Sequence, residues 1–72
     1  MIGRLKVASA ARRCGLAATI KVVRRRRAVI TLVDGDQTVA VLRVAVTHAN
    51  KSKSPMFLIS AAKITRVARE AR

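Results

Sequence analysis

The sequence is short of nearly everything from which active centres and metal sites are built. Its 72 residues include one Cys, one His, one Pro, one Phe, no Trp, no Tyr and three acidic residues. Cys14 alone forms no internal disulfide, and with His48 as the single histidine the chain lacks the three or four ligands of a usual zinc site. A reducing compartment and no metal are therefore expected. Cys14 reads as a small apolar residue near a helix end, and His48 as a loop or cap residue just after the strand-like run "VLRVAVT". Asp34 and Asp36 flank Gly35 in a turn signal, with no nucleophile or third polar group beside them. No catalytic residue, cofactor or small-molecule substrate is expected.

Long apolar runs are also missing. Nothing approaches the ~20 residues of a membrane span, and a surface-seeking helix would carry bulky apolar anchors that this chain does not have. No membrane partner is expected. Although 51% of the residues are hydrophobic, Ala and Val supply much of that fraction. A domain this short hides only about 60% of its unfolded surface, and at about 25 cal/mol per Å² small side chains give a thin core. A partner that adds contacts would complete it.

What the chain does have is positive charge: sixteen Lys and Arg against three acids, a net +13. Such an excess repels itself in the isolated fold and is relieved by a polyanion, nucleic acid first among them. Its densest point is Arg24 to Arg27, four consecutive arginines between strand-like runs.

The order of elements follows from patterning. The opening eighteen residues, rich in Arg, Ala and Ser and free of acids, have the composition of a mitochondrial presequence. We read them as a retained helix from about Ile2 to Cys14, with Ile2, Leu5, Ala8 and Ala11 or Arg12 on its apolar face, a stop at Gly15, and Arg12 and Arg13 in the last turn. A mitochondrial location is the alternative to a cytoplasmic one. "TIKVV", "AVITLV" and "TVAVLRVAV" are rich in β-branched residues and predict three strands, the last two joined across Asp34-Gly35-Asp36. A three-residue turn there pairs Ala28 with Leu42 and Arg27 with Arg43. It sorts Ala28, Ile30, Leu32, Ala40, Leu42, Val44 and Val46 towards the helices, and Val29, Thr31, Val33, Val39, Val41 and Arg43 outward. Val39 and Val41 are then exposed, which suits a contact surface. "THANKSKSP" reads as a polar loop or short helix. Ser54 and Pro55 read as N-cap and first position of a helix through Met56, Phe57, Leu58 and Ile59. Residues 62–69 fit either a helix or a short strand. The predicted fold is α+β in one domain of 72 residues: N-terminal helix, three-stranded antiparallel meander, second helix, and a short fourth strand at the C-terminus if residues 62–69 are extended.

Ile2 and Leu5, "ARR" at Ala11 to Arg13, "TIKV" at Thr19 to Val22, "VAVT" at Val44 to Thr47 and "AKITRV" at Ala62 to Val67 together resemble, in order and spacing, the eukaryotic large-subunit ribosomal protein family numbered thirty-eight. That family carries aromatics where this chain has Ala8 and Val41, and mostly Lys where this chain has Arg. The resemblance implies a structural constituent of the large, 60S-type ribosomal subunit, with rRNA and neighbouring ribosomal proteins as partners in the cytoplasm. The alternatives are a small architectural nucleic-acid-binding protein or an organellar ribosomal protein.

Arginine forks pair bidentately with phosphates, whereas sheets that read bases stack them on exposed aromatics, which are missing here. Recognition by backbone and folded shape is therefore expected. The candidate RNA-binding residues are Arg12 and Arg13 in the first helix, Lys21 in the first strand, Arg24, Arg25, Arg26 and Arg27 in the turn, and Arg43 in the third strand. Lys51 and Lys53 in the loop and Lys63 and Arg66 in the C-terminal segment complete the set.

Overall fold

A computed structural model describes residues 1–24, 26–48 and 55–71, the side chain of His48 excepted. The elements run β1 (Ile2–Gly3), α1 (Arg4–Arg13), β2 (Ala17–Arg24), β3 (Arg27–Asp34), β4 (Gln37–His48), β5 (Pro55–Phe57) and α2 (Ala61–Ala71). All five strands join one antiparallel sheet in the order β1-β5-β4-β3-β2. The α+β class is as expected, but the described sheet has two further short strands.

Ala, Arg, Leu and Lys, all strong helix formers, dominate α1. The helix stops at Gly15, whose φ of 75° few other residues adopt. The Gly15 N–H donates to the Arg12 carbonyl at 2.9 Å and the Leu16 N–H to that of Ala11 at 3.0 Å. This is the paired Schellman arrangement, and it delivers buried Leu16 onto the end of α1. The buried stripe is Val7, Ala10 and Ala11; of the Ile2, Leu5, Ala8 and Ala11 or Arg12 face expected from spacing, only Ala11 is buried. Leu5 is 86% exposed, and Ile2 is drawn out of the helix into β1, where it pairs with Phe57.

The β3–β4 turn is tighter than expected. Asp34 pairs with Gln37 around Gly35 and Asp36, and Gly35 takes the positive φ of 64° that two-residue hairpin turns favour. A bulge comes next between Leu32 and Val33, so Ala28 faces Val44 and Arg27 faces Ala45. The pairing thus lies two residues from the predicted one, and a shift of two keeps every side chain on its face. Ala28, Ile30, Leu32, Val44 and Val46 are buried as the alternation requires. Val39, expected outside, is the extra residue at the bulge and packs partly against the core, whereas Val41 is 55% exposed.

Strand β4 has twelve residues, one end pairing with β3 and the other with β5. His48 is its last residue, within the strand rather than after it. The helix expected from Ser54-Pro55 does not form: Pro55, Met56 and Phe57 are β5, and Pro55, its first residue, has a partner on β4 but none on β1, a place that tolerates the missing proline N–H. Ser54, with the rest of the 49–54 stretch, lies outside the described residues. The N-cap of α2 is instead Ser60, whose Oγ accepts from the Lys63 N–H at 3.1 Å. Residues 62–69 are helical, so the terminal strand implied by the family resemblance is not formed. Ile64 and Ala68, one turn apart, bury the same face of α2.

The helices pack together over one face of the sheet. Phe57, Ile30, Leu32, Ile64, Val7 and Val46 form the fully buried centre, each of the larger ones contributing about 1.5–3 kcal/mol. The Cys14 thiol lies 3.9 Å from the Thr65 carbonyl oxygen, and Ala61 lines a groove with Ser9 and Ala10. The two helices therefore run in the same direction. Among the described residues no buried side-chain polar atom lacks a hydrogen-bond partner, and no helix is long and apolar enough to cross a membrane.

Candidate nucleic-acid interface

The face of the sheet turned away from the helices is open. One row across it reads Lys21, Val29, Arg43, placing a cation on either side of a half-buried valine. With strands about 4.8 Å apart, the two backbone positions stand about 10 Å from each other. The adjoining row brings Arg27 opposite Ala45.

Arg24 joins this face through an irregularity. Simple alternation along β2 would send Ala18, Ile20, Val22 and Arg24 to the helix side. The β2–β3 register instead shifts between Val22 and Arg24, so that Val22 pairs with Ala28 but Arg24 pairs with Arg27. Val23 is the extra residue, and the bulge re-aims the side chain after it. Directly opposed residues share a face, so Arg24 emerges beside Arg27 on the open side. Arg24, Arg27 and Arg43 then line one cleft of about 410 Å³ with Val23, Ala28 and Val29. Among the described residues no carboxylate pairs with these arginines. Asp34, the nearest acid in sequence to Arg27, ends the same strand seven residues on, about 23 Å away.

The cleft is suited to one kind of ligand. Three guanidinium groups offer donors in planar forks beside Val23 and Val29. Forks of this kind can pair with a phosphate diester, whereas a base would find no ring to stack on.

Of the other predicted residues, Lys63 stands in the first turn of α2 and shares with Arg43 a second open cleft of about 520 Å³ at the edge of β4. Lys21 flanks the first cleft on the open face, Arg26 is exposed in the turn, and Arg66 is exposed on α2 without lining either cleft. Arg12 and Arg13 are not brought to this surface. They end α1, at the opposite end of β2 from Arg24. Arg25, Lys51 and Lys53 lie outside the described residues. Sequence reasoning passed over Lys6 and Arg69. Both line clefts with Arg13, Lys6 along α1 and Arg69 on α2. The signal for Lys6, helical spacing from Ser9, was readable in the first helix; that for Arg69, helical spacing from Thr65, is readable only once 62–69 is known to be helix.

Set beside protein-family models, curated proteins and solved structures, the chain matches none. The arrangement of its own side chains is what speaks for its chemistry.

Proposed function

We propose that the chain is an RNA-binding protein that grips folded RNA by its phosphate backbone, with the cleft of Arg24, Arg27 and Arg43 as the principal contact. On this reading it is a structural constituent of a ribosome, of the large-subunit, cytoplasmic type that the sequence resemblance suggests. The observation that carries the proposal is the convergence of three arginines from three strands on one face, with no acid beside them among the described residues. A solvated charged turn would have no need of a bulge that brings Arg24 round to Arg27. The large-subunit assignment draws on the first helix and on the runs at Thr19 to Val22 and Val44 to Thr47; the C-terminal helix lends it nothing.

The protein's role on this reading is to neutralise and hold. Strand ladders fix the arginine positions before RNA arrives, so less side-chain freedom is lost on binding than from a flexible tail. Missing aromatics make the contact indifferent to base identity and dependent on where phosphates come together. Lys63 beside Arg43 extends the same positive surface round the edge of β4.

Co-sedimentation tests the reading. The wild-type chain should travel with purified large subunits through a salt wash, and a variant with Ser at Arg24, Arg26, Arg27 and Arg43 should be lost while keeping its circular dichroism spectrum. Equal retention of folded variant and wild type would refute the cleft, and no retention of the wild type would refute the ribosomal assignment.

A further inference from the structure

We infer that the cleft between the last turn of α1 and the C-terminal half of α2 is a further phosphate site, occupied by the backbone of a separate RNA segment, so that one chain bridges two RNA elements. The inference rests on the RNA-binding reading and adds a second site to it.

The cleft is open, encloses about 580 Å³ and is lined by Arg13, Cys14, Gly15, Thr65 and Arg69. Its two arginines come from different helices and meet because α1 and α2 run in the same direction. Each singly suits the negative end of its own helix. Neither end requires that the two converge on a shared space. The N–H groups of Cys14, Gly15 and Leu16 already engage the carbonyls of Ala11 and Arg12 at the end of α1, so these two make no demand on the Arg13 side chain. Among the described residues no carboxylate pairs with Arg13 or Arg69. Glu70 comes directly after Arg69, about 100° round the helix, and so is carried off the line of the cleft. Two like charges facing an open space repel until an anion stands between them, and a phosphodiester supplies that anion to both forks.

Position makes the occupant a different RNA segment. The arginine cleft lies at the Arg24 end of β2, on the face away from the helices. The Arg13/Arg69 cleft lies beyond the Ala17 end, in the helix layer. Eight residues of strand separate the two ends by about 23 Å, and the sheet stands between the faces. A straight RNA duplex lying along one face reaches one cleft and not the other.

Native mass spectrometry with a short RNA hairpin counts ligands directly and distinguishes a bridging monomer from a dimer. At saturating hairpin the wild type is expected to give a species of one chain with two hairpins. The Arg69→Ser variant, in which an exposed residue is changed, is expected to stop at one hairpin per chain, and the Arg13→Ser/Arg69→Ser variant likewise. An Arg69→Lys variant, which keeps the charge and the helix, should restore at least part of the second binding event. Saturation of the wild type at one hairpin, or unchanged two-hairpin binding by both serine variants, would overturn the bridge and leave the first cleft standing. If the wild type binds no hairpin at all, the RNA-binding reading itself fails.

Discussion

Arg24 and Arg27 stand directly opposite one another as the final pair of the β2–β3 ladder. Opposed like charges weaken a sheet by about 0.2–1 kcal/mol, so this pair is a cost in the free protein that a phosphate bound as proposed would remove. Arg24→Gln, which keeps length and discards charge, is expected to stabilise the free protein by about that amount in low salt. The gain should shrink towards zero in 1 M salt, where the Debye length is about 3 Å. Urea denaturation followed by circular dichroism checks both parts. A loss of stability at low salt would mean that the arginine supports the turn.

Salt dependence measures the contacts themselves. With roughly 6 to 8 phosphates engaged, log K for an rRNA fragment should fall against log salt with a slope of about −4 to −7. Removing one phosphate contact with Arg43→Gln should flatten the slope by about 0.7–0.9 and weaken binding to unrelated folded RNAs to a similar degree. Filter binding at several salt concentrations reads this out. A slope unaltered by the substitution would take Arg43 out of the interface.

Charge and core together set the response to polyanions. A net charge of +13 on a core built largely from Ala, Val and a few larger residues predicts a shallow melt in low-salt buffer. An rRNA fragment or sulfate, binding the folded state preferentially, should raise the midpoint as its concentration rises. A sharp, high transition that RNA leaves in place would show a domain whose stability is independent of its ligand.

Phe57 is the single aromatic and is fully buried. Phe57→Ala is expected to cost about 3–5 kcal/mol, a large part of the roughly 4–11 kcal/mol that a chain of this length commands. Loss of the near-native circular dichroism spectrum at 25 °C, with partial recovery on adding RNA, is the expected result. A cost below about 1 kcal/mol would mean that the centre of the core lies elsewhere.

The parts of this fold legible from sequence are those fixed by local rules. β-Branched alternation located β2, β3 and β4 and sorted Ala28, Ile30, Leu32, Val44 and Val46 inward even though the register differed by two residues, because parity survives an even shift. Gly15 ended α1 where it was expected. What escaped was set by distant partners. Ile2 leaves the helical pattern because Phe57 offers it a strand to pair with, and Pro55, a plausible helix start by composition, becomes extended for the same reason. Leu5 keeps a helical spacing but finds no neighbour. Residues 62–69 fitted two periods, and the packing of Ile64 and Ala68 chose between them. In the candidate site the arginine run and the nearness of Arg27 to Arg43 were plain, but the place of Arg24 beside them depends on the bulge at Val23, for which a run of Val-Val-Arg gives no warning.

The pairing of Ile2 with Phe57, and of Phe57 with Val46, has a consequence for the order in which the chain acquires its structure. At synthesis rates of about 5–20 residues per second, residue 57 emerges after residue 2 by roughly 3 to 11 s. Only in the last part of that interval, the roughly 0.5 to 2 s between residue 48 and residue 57, does the meander of β2, β3 and β4 have every residue it needs to pair locally, while β1 and the buried side of α1 still have neither β5 nor α2 to rest on. The arginine cleft, built wholly from the meander, is thus complete before the core that anchors it. If the cleft binds RNA as proposed, an emerging chain would be held there while its two ends are still unjoined, and the arrival of Phe57 between Ile2 and Val46 would close the sheet on a chain already bound.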